Sequence, residues 1–361
     1  MSRPAKIFID LAAVEANYKY AQLLAPNSNA IAVVKADAYG HGAVEVAKKL
    51  ASSAELFAVS CLEEALVLRK AGIEQSILLL EGCFSQDEIP LAVTQNCQLV
   101  VHTQQQIDEL LNADISQPVS VWLKVDTGMH RLGIQPDEAA LASLTLKASK
   151  NVKAVLLMSH FSSADNLASD GVSKQLDVFE NCVSTIEEIG IQKSMANSAG
   201  ILAWPNSHKN WNRPGIMLYG LSPFSEYQPQ ASQLQAAMSF ESEIIAMRDV
   251  SAGESVGYGD TWVANRPSVV ATVAVGYGDG YPRTAKLGTP VLVNKQRVPL
   301  AGRVSMDMIS IDVTGLQNVN IGDKVELWGK NLGANEVAFW AGTIGYELVT
   351  RMPTRAKRLF I

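Results

Sequence analysis

Short apolar runs alternate with longer amphipathic segments through the first two-thirds of the chain. Several of these runs are followed by a helical pattern, as in Leu62–Lys70. This alternation is typical of parallel strands that are joined by helices. Eight runs are therefore predicted to be strands: Ile31–Lys35, Leu56–Ser60, Ile77–Glu81, Gln98–His102, Val119–Asp126, Val155–His160, Lys193–Asn197 and Arg213–Leu218.

Eight strand–helix units over roughly 200 residues favour an N-terminal (β/α)8 TIM barrel, an α/β fold, over an open doubly wound sheet. From about Leu234 the pattern changes, because β-branched and polar residues alternate and glycines interrupt them. This second pattern predicts a C-terminal mostly-β domain. We predict a barrel over residues 1–233 and a β domain over residues 234–361, with strands in the following segments: Phe240–Met247, Val269–Val275, Val291–Asn294, Met308–Val313 and Lys324–Trp328.

Composition then narrows the class of protein. With 48% hydrophobic and 18% charged residues, the chain is typical of a well-packed globular protein. Its net charge of -6 gives no basic field for nucleic acid or for an anionic membrane surface. The four cysteines lack the spacing of a zinc site, so we expect reduced thiols and no metal. No apolar leader or membrane-spanning stretch is present in the sequence, and we expect a cytoplasmic enzyme.

Lys35 follows directly after the apolar run Ile31–Val34. Barrel enzymes place their chemistry where strands end, and a desolvated lysine there can attack a carbonyl group as a Schiff-base nucleophile. The alternative is a lysine whose ammonium group simply extends to water. Tyr39 can donate a hydrogen bond to an anion, and a helix is predicted to begin near Ala43, where its N-terminus favours anions.

A second charged segment, Lys124–Gly133, begins at the end of the fifth predicted strand and continues into a tight turn. Arg131 could hold a substrate carboxylate with two hydrogen bonds, and Lys124 could support it. The alternative is a local salt bridge between Asp126 and one of these cations. His130 is expected to be structural or exposed.

Polar residues also lie at the sixth, seventh and eighth predicted strands. His160 could be an acid, a metal ligand or a ring-stacking partner, or it could be a structural histidine. Loops after the seventh and eighth strands of barrels commonly bind phosphate, although simple turn chemistry is the alternative here. The candidate groups, which lie at the end of the seventh predicted strand and in the eighth unit, are Asn197, the Ser198 hydroxyl, Arg213 and the amides of Gly215 and Ile216.

In the β domain the phrase Val-Gly-Tyr-Gly-Asp occurs twice, around Tyr258 and Tyr277. The second copy is not a dinucleotide-binding fingerprint, because the glycine spacing and the strand-to-helix setting are missing. Either tyrosine could act as an acid or base if a positive neighbour lowered its pKa. Most tyrosines in β domains simply pack, and residue chemistry alone does not choose between the two.

Five motifs in this order resemble alanine racemase, a family of pyridoxal-phosphate enzymes of bacterial wall synthesis. The match spans almost the whole chain and both predicted domains. One departure is Ser305, where many members of the family carry cysteine. The matching motifs are Ala32–Gly42, Lys124–Gly133, Arg213–Gly220, Val256–Trp262 and Gly302–Asp307.

The resemblance implies an enzyme that interconverts L-alanine and D-alanine on an aldimine of pyridoxal 5'-phosphate and supplies D-alanine for peptidoglycan. It also implies a homodimer in which each active site borrows residues from the partner's β domain. Lys35 would hold the cofactor and act as the base on one face of the substrate. Tyr258, from the other subunit, would serve the opposite face, and together with Tyr346 it would favour a methyl side chain.

The resemblance assigns the remaining site residues as well. Arg131 and the backbone amide of the partner's Met306 would receive the substrate carboxylate, and Lys124 matches a position that is often carbamylated. Tyr277 would belong to the substrate entrance, and Asp307 would be a supporting residue. The implied cofactor contacts are Tyr39, Ser198, Gly215, Ile216 and Tyr346 at the phosphate, His160 and Arg213 at the ring, and Asn197.

Three alternatives compete with this interpretation. A barrel-type pyridoxal-phosphate amino-acid decarboxylase shares the lysine-bearing barrel and a β domain. Arg213 argues against it, because decarboxylation benefits from a protonated pyridine nitrogen and an acidic partner. A cofactor carrier built on the barrel alone would need neither the β domain nor Tyr258. The third alternative is a racemase of broader amino-acid specificity.

Overall fold

The structure is a computed structural model and describes residues 3–186 and 190–361. The chain folds into two compact units. The larger unit contains Glu15–Leu218 and Ser222–Leu234. The smaller unit contains the N-terminal residues through Val14 together with Tyr219–Leu221 and Gln235–Ile361.

The larger unit is a closed barrel of eight parallel strands that pair in chain order, which confirms the predicted (β/α)8 barrel. The barrel closes where the last strand pairs with the first, at Asn29 opposite Trp211. The elements in chain order, beginning with one strand of the smaller unit, are β1 (Lys6–Ile9), α1 (Leu11–Leu24), β2 (Asn29–Val33), α2 (Lys35–Tyr39), α3 (Ala43–Leu50), β3 (Leu56–Val59), α4 (Leu62–Lys70), β4 (Ser76–Leu79), α5 (Glu88–Thr94), β5 (Cys97–Val101), α6 (Gln104–Leu111), β6 (Val119–Lys124), α7 (Ala139–Lys147), β7 (Val152–Met158), α8 (Gly171–Ser184), β8 (Lys193–Ser194), α9 (Ser198–Ala203) and β9 (Trp211–Asn212).

Apolar side chains from alternate strand positions pack into one buried cluster. Trp122 is fully buried in it, and its indole Nε1 donates to Gln98 Oε1 at 2.7 Å. Because the interior is packed, polar groups are left to the strand ends and the loops that follow them. The cluster consists of Ile31, Val33, Leu56, Ala58, Leu78, Val100, Trp122, Leu156 and Met158, with Tyr39, Leu80 and Trp211 packed against it.

The prediction of Arg213–Leu218 as the eighth strand is wrong. The strand is β9, which ends at Asn212, and Ile216–Tyr219 forms a 3-10 turn. Pro214 has no amide hydrogen for a strand ladder, and the amides of Gly215 and Met217 donate to the Ser198 hydroxyl instead. The residues of this run are apolar because they are buried, not because they pair in the sheet.

The smaller unit is mostly β, as predicted, with two short helices near its end. Its elements are β10 (Met238–Val250), β11 (Ser255–Val256), β12 (Trp262–Val263), β13 (Ser268–Val273), β14 (Pro290–Val293), β15 (Gln296–Pro299), β16 (Ile309–Asp312), β17 (Lys324–Trp328), α10 (Ala334–Ala341), α11 (Gly345–Thr350) and β18 (Lys357–Phe360). The main sheet has the order β15-β14-β17-β10-β1-β18, and β13 pairs with both β10 and β16. Each of the five predicted strand segments overlaps an observed strand.

The first residues of the chain belong to the smaller unit, whereas the predicted barrel domain included them. Strand β1 pairs antiparallel with β10 and parallel with β18, so it lies between two strands from the C-terminal part of the chain. The four residues of β1 are too few to show an alternation that assigns them to either domain. Among the described helices, none combines the length and the apolar character that crossing a bilayer requires.

Candidate active site

Lys35 lies just beyond the end of β2, at the start of a left-handed turn. The next four residues, Ala36–Tyr39, all have φ between 52° and 54°. This conformation costs roughly 1–2 kcal/mol for each residue with a side chain, so other contacts must stabilise it. Glu64 Oε1 accepts a hydrogen bond from the Ala36 amide at 2.7 Å, and Asp37 Oδ1 accepts one from the Ala43 amide at 2.8 Å.

The Asp37 contact also decides what the N-terminus of α3 does. Helix α3 begins at Ala43, where the sequence predicted a helix start. The first amide of the helix donates to the Asp37 carboxylate. The anion at this helix terminus is therefore the Asp37 side chain of the same turn.

The environment of Lys35 favours the neutral amine. Burial lowers the pKa of Lys35, and the positive charge of Arg131 lowers it further, whereas Glu81 and Glu64 oppose this shift. The two carboxylates are connected through Ser60, whose amide donates to Glu64 Oε2 and whose hydroxyl donates to Glu81 Oε1. A lysine with a lowered pKa at a strand end is chemically suited to Schiff-base formation.

Three polar groups converge beside Gly215. The Ser198 hydroxyl accepts hydrogen bonds from the amides of Gly215 at 2.9 Å and Met217 at 3.3 Å. A Cβ atom on Gly215 would lie 2.7 Å from Tyr39 Oη and 3.9 Å from Ser198 Oγ. Burial raises the pKa of Tyr39 to about 12, so its hydroxyl stays protonated and can donate. Gly215 thus keeps open a small polar recess that suits an anion.

Asn197 and Ile216 border this recess. The Asn197 side chain caps α9 by accepting a hydrogen bond from the Gly200 amide at 3.0 Å, which places Ser198 at the first position of the helix. Ile216 begins the 3-10 turn that follows Gly215. The first amides of a helical turn have no partner within the turn, so the Ile216 amide is available to a ligand by its position.

Arg213 is buried among neutral acceptors. Its guanidinium donates to the Ser194 hydroxyl, to the Ser159 carbonyl at 2.5 Å and to the Met195 carbonyl at 3.2 Å. Within the described residues it forms no ion pair with a carboxylate. Burial lowers the pKa of Arg213 to about 10, which leaves the group protonated at neutral pH. The position is therefore a cationic donor fixed from three sides.

His160 lies against this arginine. Its Nδ1 is 3.3 Å from Arg213 Nη2. Burial, and then the charges of Arg213 and Lys124, hold the pKa of His160 well below its usual range. The imidazole is therefore neutral and can accept from the guanidinium. This geometry supports a neutral imidazole ring that packs beside Arg213. The described residues contain no cluster of metal-ligating side chains.

In the Lys124–Gly133 segment, the carboxylate of Asp126 contacts neither Lys124 nor Arg131. Asp126 Oδ1 accepts hydrogen bonds from the amides of Gly128, Met129 and His130 at 3.0–3.1 Å, and its Oδ2 is 3.1 Å from His130 Nδ1. The predicted alternative, a salt bridge of Asp126 with Lys124 or Arg131, is therefore not formed. The side chain of Arg131 is exposed.

Lys124 is the buried cation of this segment. Burial lowers its pKa to about 8, and the charges of Arg213, Arg131 and Lys35 add to the shift. No hydrogen bond or ion pair of its ammonium group is found within residues 3–186 and 190–361. A buried amine surrounded by cations is an environment in which an anion would be stabilised.

The candidate residues of the smaller unit are more exposed. Tyr258 is 71% exposed on a turn between β11 and β12, Met306 is 52% exposed and Tyr277 is 41% exposed. Asp307 follows Met306 and forms an ion pair with Arg355. Tyr346 is half-buried in the first turn of α11. The structure therefore brings Tyr277, Met306 and Asp307 together through two neighbouring turns of this unit.

Several residues that shape these sites were not singled out from the sequence. Glu81 lies at the end of a predicted strand, where functional residues of a barrel are expected, but it was not among the predicted site residues. Glu64 sits in an amphipathic helix pattern that carries no signal for its contact with Ala36. Asp279 and Arg3 are 276 positions apart in the chain, and their ion pair has no local signature.

The comparisons with known proteins cover both units. The alanine racemase N-terminal domain matches residues 9–223, and the alanine racemase C-terminal domain matches residues 237–360. An alanine racemase from Pseudoalteromonas atlantica is 52% identical over 373 residues, and the alignment covers 100% of each chain. The chain belongs to the alanine racemase family.

Solved alanine racemase structures share the fold across the whole chain. The biosynthetic alanine racemase from Pseudomonas aeruginosa superimposes with a TM-score of 0.95 at 45% identity and covers 99% of each chain. Alanine racemase from Bartonella henselae, which has covalently bound pyridoxal phosphate, superimposes with a TM-score of 0.89 at 29% identity, again over 99% of each chain.

Enzymes of the alanine racemase family depend on pyridoxal phosphate, and the barrel residues fit this group. The recess kept open by Gly215 has hydroxyl and amide groups that suit a phosphate, and a side chain at this position would fill it. Lys35 has a lowered pKa, as a covalent anchor for an aldehyde requires. Arg213 offers a fixed donor to a ring nitrogen.

Proposed function

We propose that this enzyme interconverts L-alanine and D-alanine with pyridoxal 5'-phosphate by using two bases on opposite faces of the substrate. The observation that carries the proposal is Arg213, a buried cation held by neutral acceptors. When bound, pyridoxal phosphate withdraws electrons from an attached amino acid and makes its Cα proton acidic. Because an arginine cannot readily lose its proton, Arg213 would leave the pyridine nitrogen of the bound group unprotonated, which would limit side reactions.

The cofactor would be held by both charged and neutral groups. Lys35 would bind its aldehyde, and His160, Asn197 and Arg213 would surround its ring. Within the recess, the hydroxyl of Tyr39, with its raised pKa, donates to an anion over the whole physiological pH range. The proposed phosphate contacts are Tyr39, Ser198, Gly215, Ile216 and, from the β domain, Tyr346.

Two groups would move the Cα proton. Lys35 Nζ would take it from, or return it to, one face of the substrate, because its lowered pKa makes the neutral amine accessible. Tyr258 Oη would serve the opposite face. A single base would tend to return the proton to the side from which it came, so racemisation requires both. Tyr258 and Tyr346 would limit the room at the side chain and so favour a methyl group.

The substrate carboxylate would be received by Arg131 and by the backbone amide of Met306. Asp126 makes its hydrogen bonds within its own loop, which leaves the Arg131 guanidinium free of that carboxylate. We propose that Lys124 reacts with carbon dioxide, its nitrogen losing a proton as the N–C bond forms, to give a carbamate. The pKa of about 8 supports this, because only the neutral amine reacts, and the resulting anion would orient Arg131.

The proposed assembly is a homodimer with shared active sites. Turns of the β unit expose Tyr258, Tyr277 and Met306. Val263 in β12 and Met308, two residues after Met306, are exposed as well. Exposed apolar side chains in adjacent segments mark an interaction surface. A second copy of the chain that covers this surface would receive Tyr258 and Met306 beside its own Lys35.

We also propose that the enzyme works in the cytoplasm and supplies D-alanine for peptidoglycan. Support comes from the biosynthetic alanine racemase of Pseudomonas aeruginosa, which shares the fold of this chain. Deleting the gene in a host without another alanine racemase should make growth depend on added D-alanine. Growth without D-alanine would remove this role but not the activity.

Chiral chromatography tests the activity directly. The purified enzyme with pyridoxal phosphate should convert either alanine enantiomer into an equal mixture of both. Serine, lysine and arginine are tested in the same assay, because substrate breadth distinguishes an alanine racemase from a broader one. Loss of an α-deuterium label with no change in optical rotation would contradict the proposal, and release of carbon dioxide would favour the decarboxylase.

A mixing experiment tests the shared site. Lys35→Ala and Tyr258→Phe are each expected to be almost inactive. If each site takes its lysine from one chain and its tyrosine from the other, random re-pairing of the two variants should restore about a quarter of wild-type activity, because about half of the dimers are mixed and each has one intact site. If both residues come from the same chain, mixing restores nothing.

A further inference from the structure

Two turns of the β unit, Tyr277–Asp279 and Ser305–Met308, lie backbone against backbone. The Tyr277 amide donates to the Ser305 carbonyl at 3.0 Å, and the Gly278 amide donates to the Met306 carbonyl at 2.9 Å. A Cβ atom on Gly276 would lie 2.3 Å from the Ser305 carbonyl oxygen and 2.4 Å from that of Met306. The close approach therefore requires glycine, and the two turns form one unit.

Asp279 is the buried charge under this pair of turns. Its side chain is inaccessible to solvent. Its carboxylate accepts from Arg3 Nε at 2.7 Å and from Arg3 Nη2 at 2.5 Å, and it also accepts from the Gly276 amide at 3.0 Å. Arg355 Nε lies 3.2 Å from Oδ1 of the same carboxylate. The charge is thus paired with two guanidinium groups and tied to the first turn.

The same two arginines reach the second turn. Arg3 Nη2 donates to the Asp307 carbonyl at 2.9 Å, and Arg355 Nη2 donates to the Asp307 carboxylate. Asp307 directly follows Met306, whose amide is proposed to receive the substrate carboxylate. Each guanidinium therefore connects the buried Asp279 with the backbone or side chain next to that amide. Bidentate contacts of this kind fix orientation as well as distance.

We propose that Asp279 is a positioning residue for substrate binding: through Arg3 and Arg355 it fixes the Ser305–Met308 turn so that the Met306 amide is aimed at the substrate carboxylate. The N-terminal segment thereby takes part in substrate recognition, although Arg3 is 303 positions from Met306. The inference rests on the proposed function, because it assumes the role of the Met306 amide.

Breaking the buried pair should weaken binding of the carboxylate more than it slows proton transfer. Asp279→Asn removes the negative charge but keeps the shape of the side chain. Arg3→Gln removes the guanidinium that makes the bidentate contact with Asp279. For each variant we expect a KM for alanine that rises about tenfold or more, while kcat changes by less than about threefold, which is the pattern of lost binding common to ground and transition states.

Two further measurements separate positioning from general stability. Propionate has the carboxylate of alanine but no amine, so its inhibition constant should rise together with KM. Arg3→Lys keeps the charge but not the bidentate geometry and should recover only part of the loss. The control is Arg266→Gln, which breaks the Arg266–Asp312 pair in the same unit without touching either turn, and which should leave both constants unchanged.

The outcomes are distinguishable from a failure of the proposed function. If the wild-type enzyme does not racemise alanine, the proposed function is wrong. If it does, and the folded variants bind alanine and propionate within about twofold of wild type, the positioning role is wrong. Should Asp279→Asn fail to fold, Arg3→Gln decides the question alone, because the Arg3 side chain is 30% exposed near the chain terminus.

Discussion

The two units present their candidate residues in opposite ways. In the barrel, Arg213, Ser198 and Lys124 are buried, and hydrogen bonds from other segments of the barrel hold Arg213 and Ser198. In the β unit, Tyr258, Tyr277 and Met306 lie on turns and are exposed. The barrel therefore encloses its candidate groups, whereas the β unit leaves its candidate groups accessible to solvent.

The backbone explains this difference. Parallel strands in a barrel all end on one side, so the topology itself brings the polar residues at their ends together. The Tyr258 turn instead depends on Gly257 at φ 82°, Gly259 at φ 73° and Asp260 at φ 49°, which reverse the chain sharply between two short strands. Such a turn can project a side chain outward but cannot enclose it.

The largest effect is expected from the exposed tyrosines. Tyr258→Phe should slow exchange of the α-proton of L-alanine in deuterated water by about 10²-fold or more, a typical contribution of a general base. Tyr277→Phe, at the second copy of the same phrase, should cause a much smaller loss. Mass spectrometry of the recovered alanine measures both, and the reverse order would overturn the assignment of the two tyrosines.

The next effect concerns the enclosed recess of the barrel. Gly215→Ala places a methyl group 2.7 Å from Tyr39 Oη, so we expect the affinity for pyridoxal phosphate to fall about tenfold or more. Fluorescence titration of the apoenzyme measures this. The control is Gly333→Ala, whose added Cβ atom would meet nothing within 4 Å. Equal affinity in Gly215→Ala and wild type would show that the phosphate binds elsewhere.

The last effect is a pH dependence of stability that the buried barrel cation should show. Lys124 has a pKa of about 8 in the folded protein and 10.5 as its ordinary value. Between these values the unfolded state binds one more proton than the folded state, so stability rises with pH by up to about 1.4 kcal/mol per unit. Below pH 8 both states are charged and the dependence disappears.

Urea unfolding of the apoenzyme in buffers free of carbon dioxide measures this effect. The wild type should gain stability relative to Lys124→Met as the pH rises from 8 to 10.5. The comparison between variants removes the titration of groups that both share. Parallel curves for the two proteins across this range would show that Lys124 is not desolvated.

Much of the fold follows from local patterns. The helix Leu62–Lys70 has the predicted bounds, and α3 begins at Ala43 as expected. The eighth strand was misplaced, because an apolar run indicates burial and does not say whether the backbone pairs. The first residues of the chain joined the β unit for a similar reason, since the partners of β1 lie far away in sequence.

The candidate site was predicted unevenly. Lys35, His160 and Lys124 lie at or just beyond strand ends, as the barrel pattern required. The hydrogen-bond partners of Asp126 were not predictable, because cationic residues lie on both sides of it in the sequence. In the structure its carboxylate accepts hydrogen bonds from backbone amides instead. Glu64 and Asp279 support the site through contacts between distant segments, and nothing in their local sequence marks them.

The sequence by itself determined the kinds of element, the barrel and the residue types available at its strand ends, because periodicity and strand-end polarity are local properties of the chain. The tertiary structure decided which of those groups remain unpaired, how burial shifts their pKa values, and how Arg3 reaches Asp279. These properties depend on distances between segments that are far apart in the chain, and only the folded backbone sets those distances.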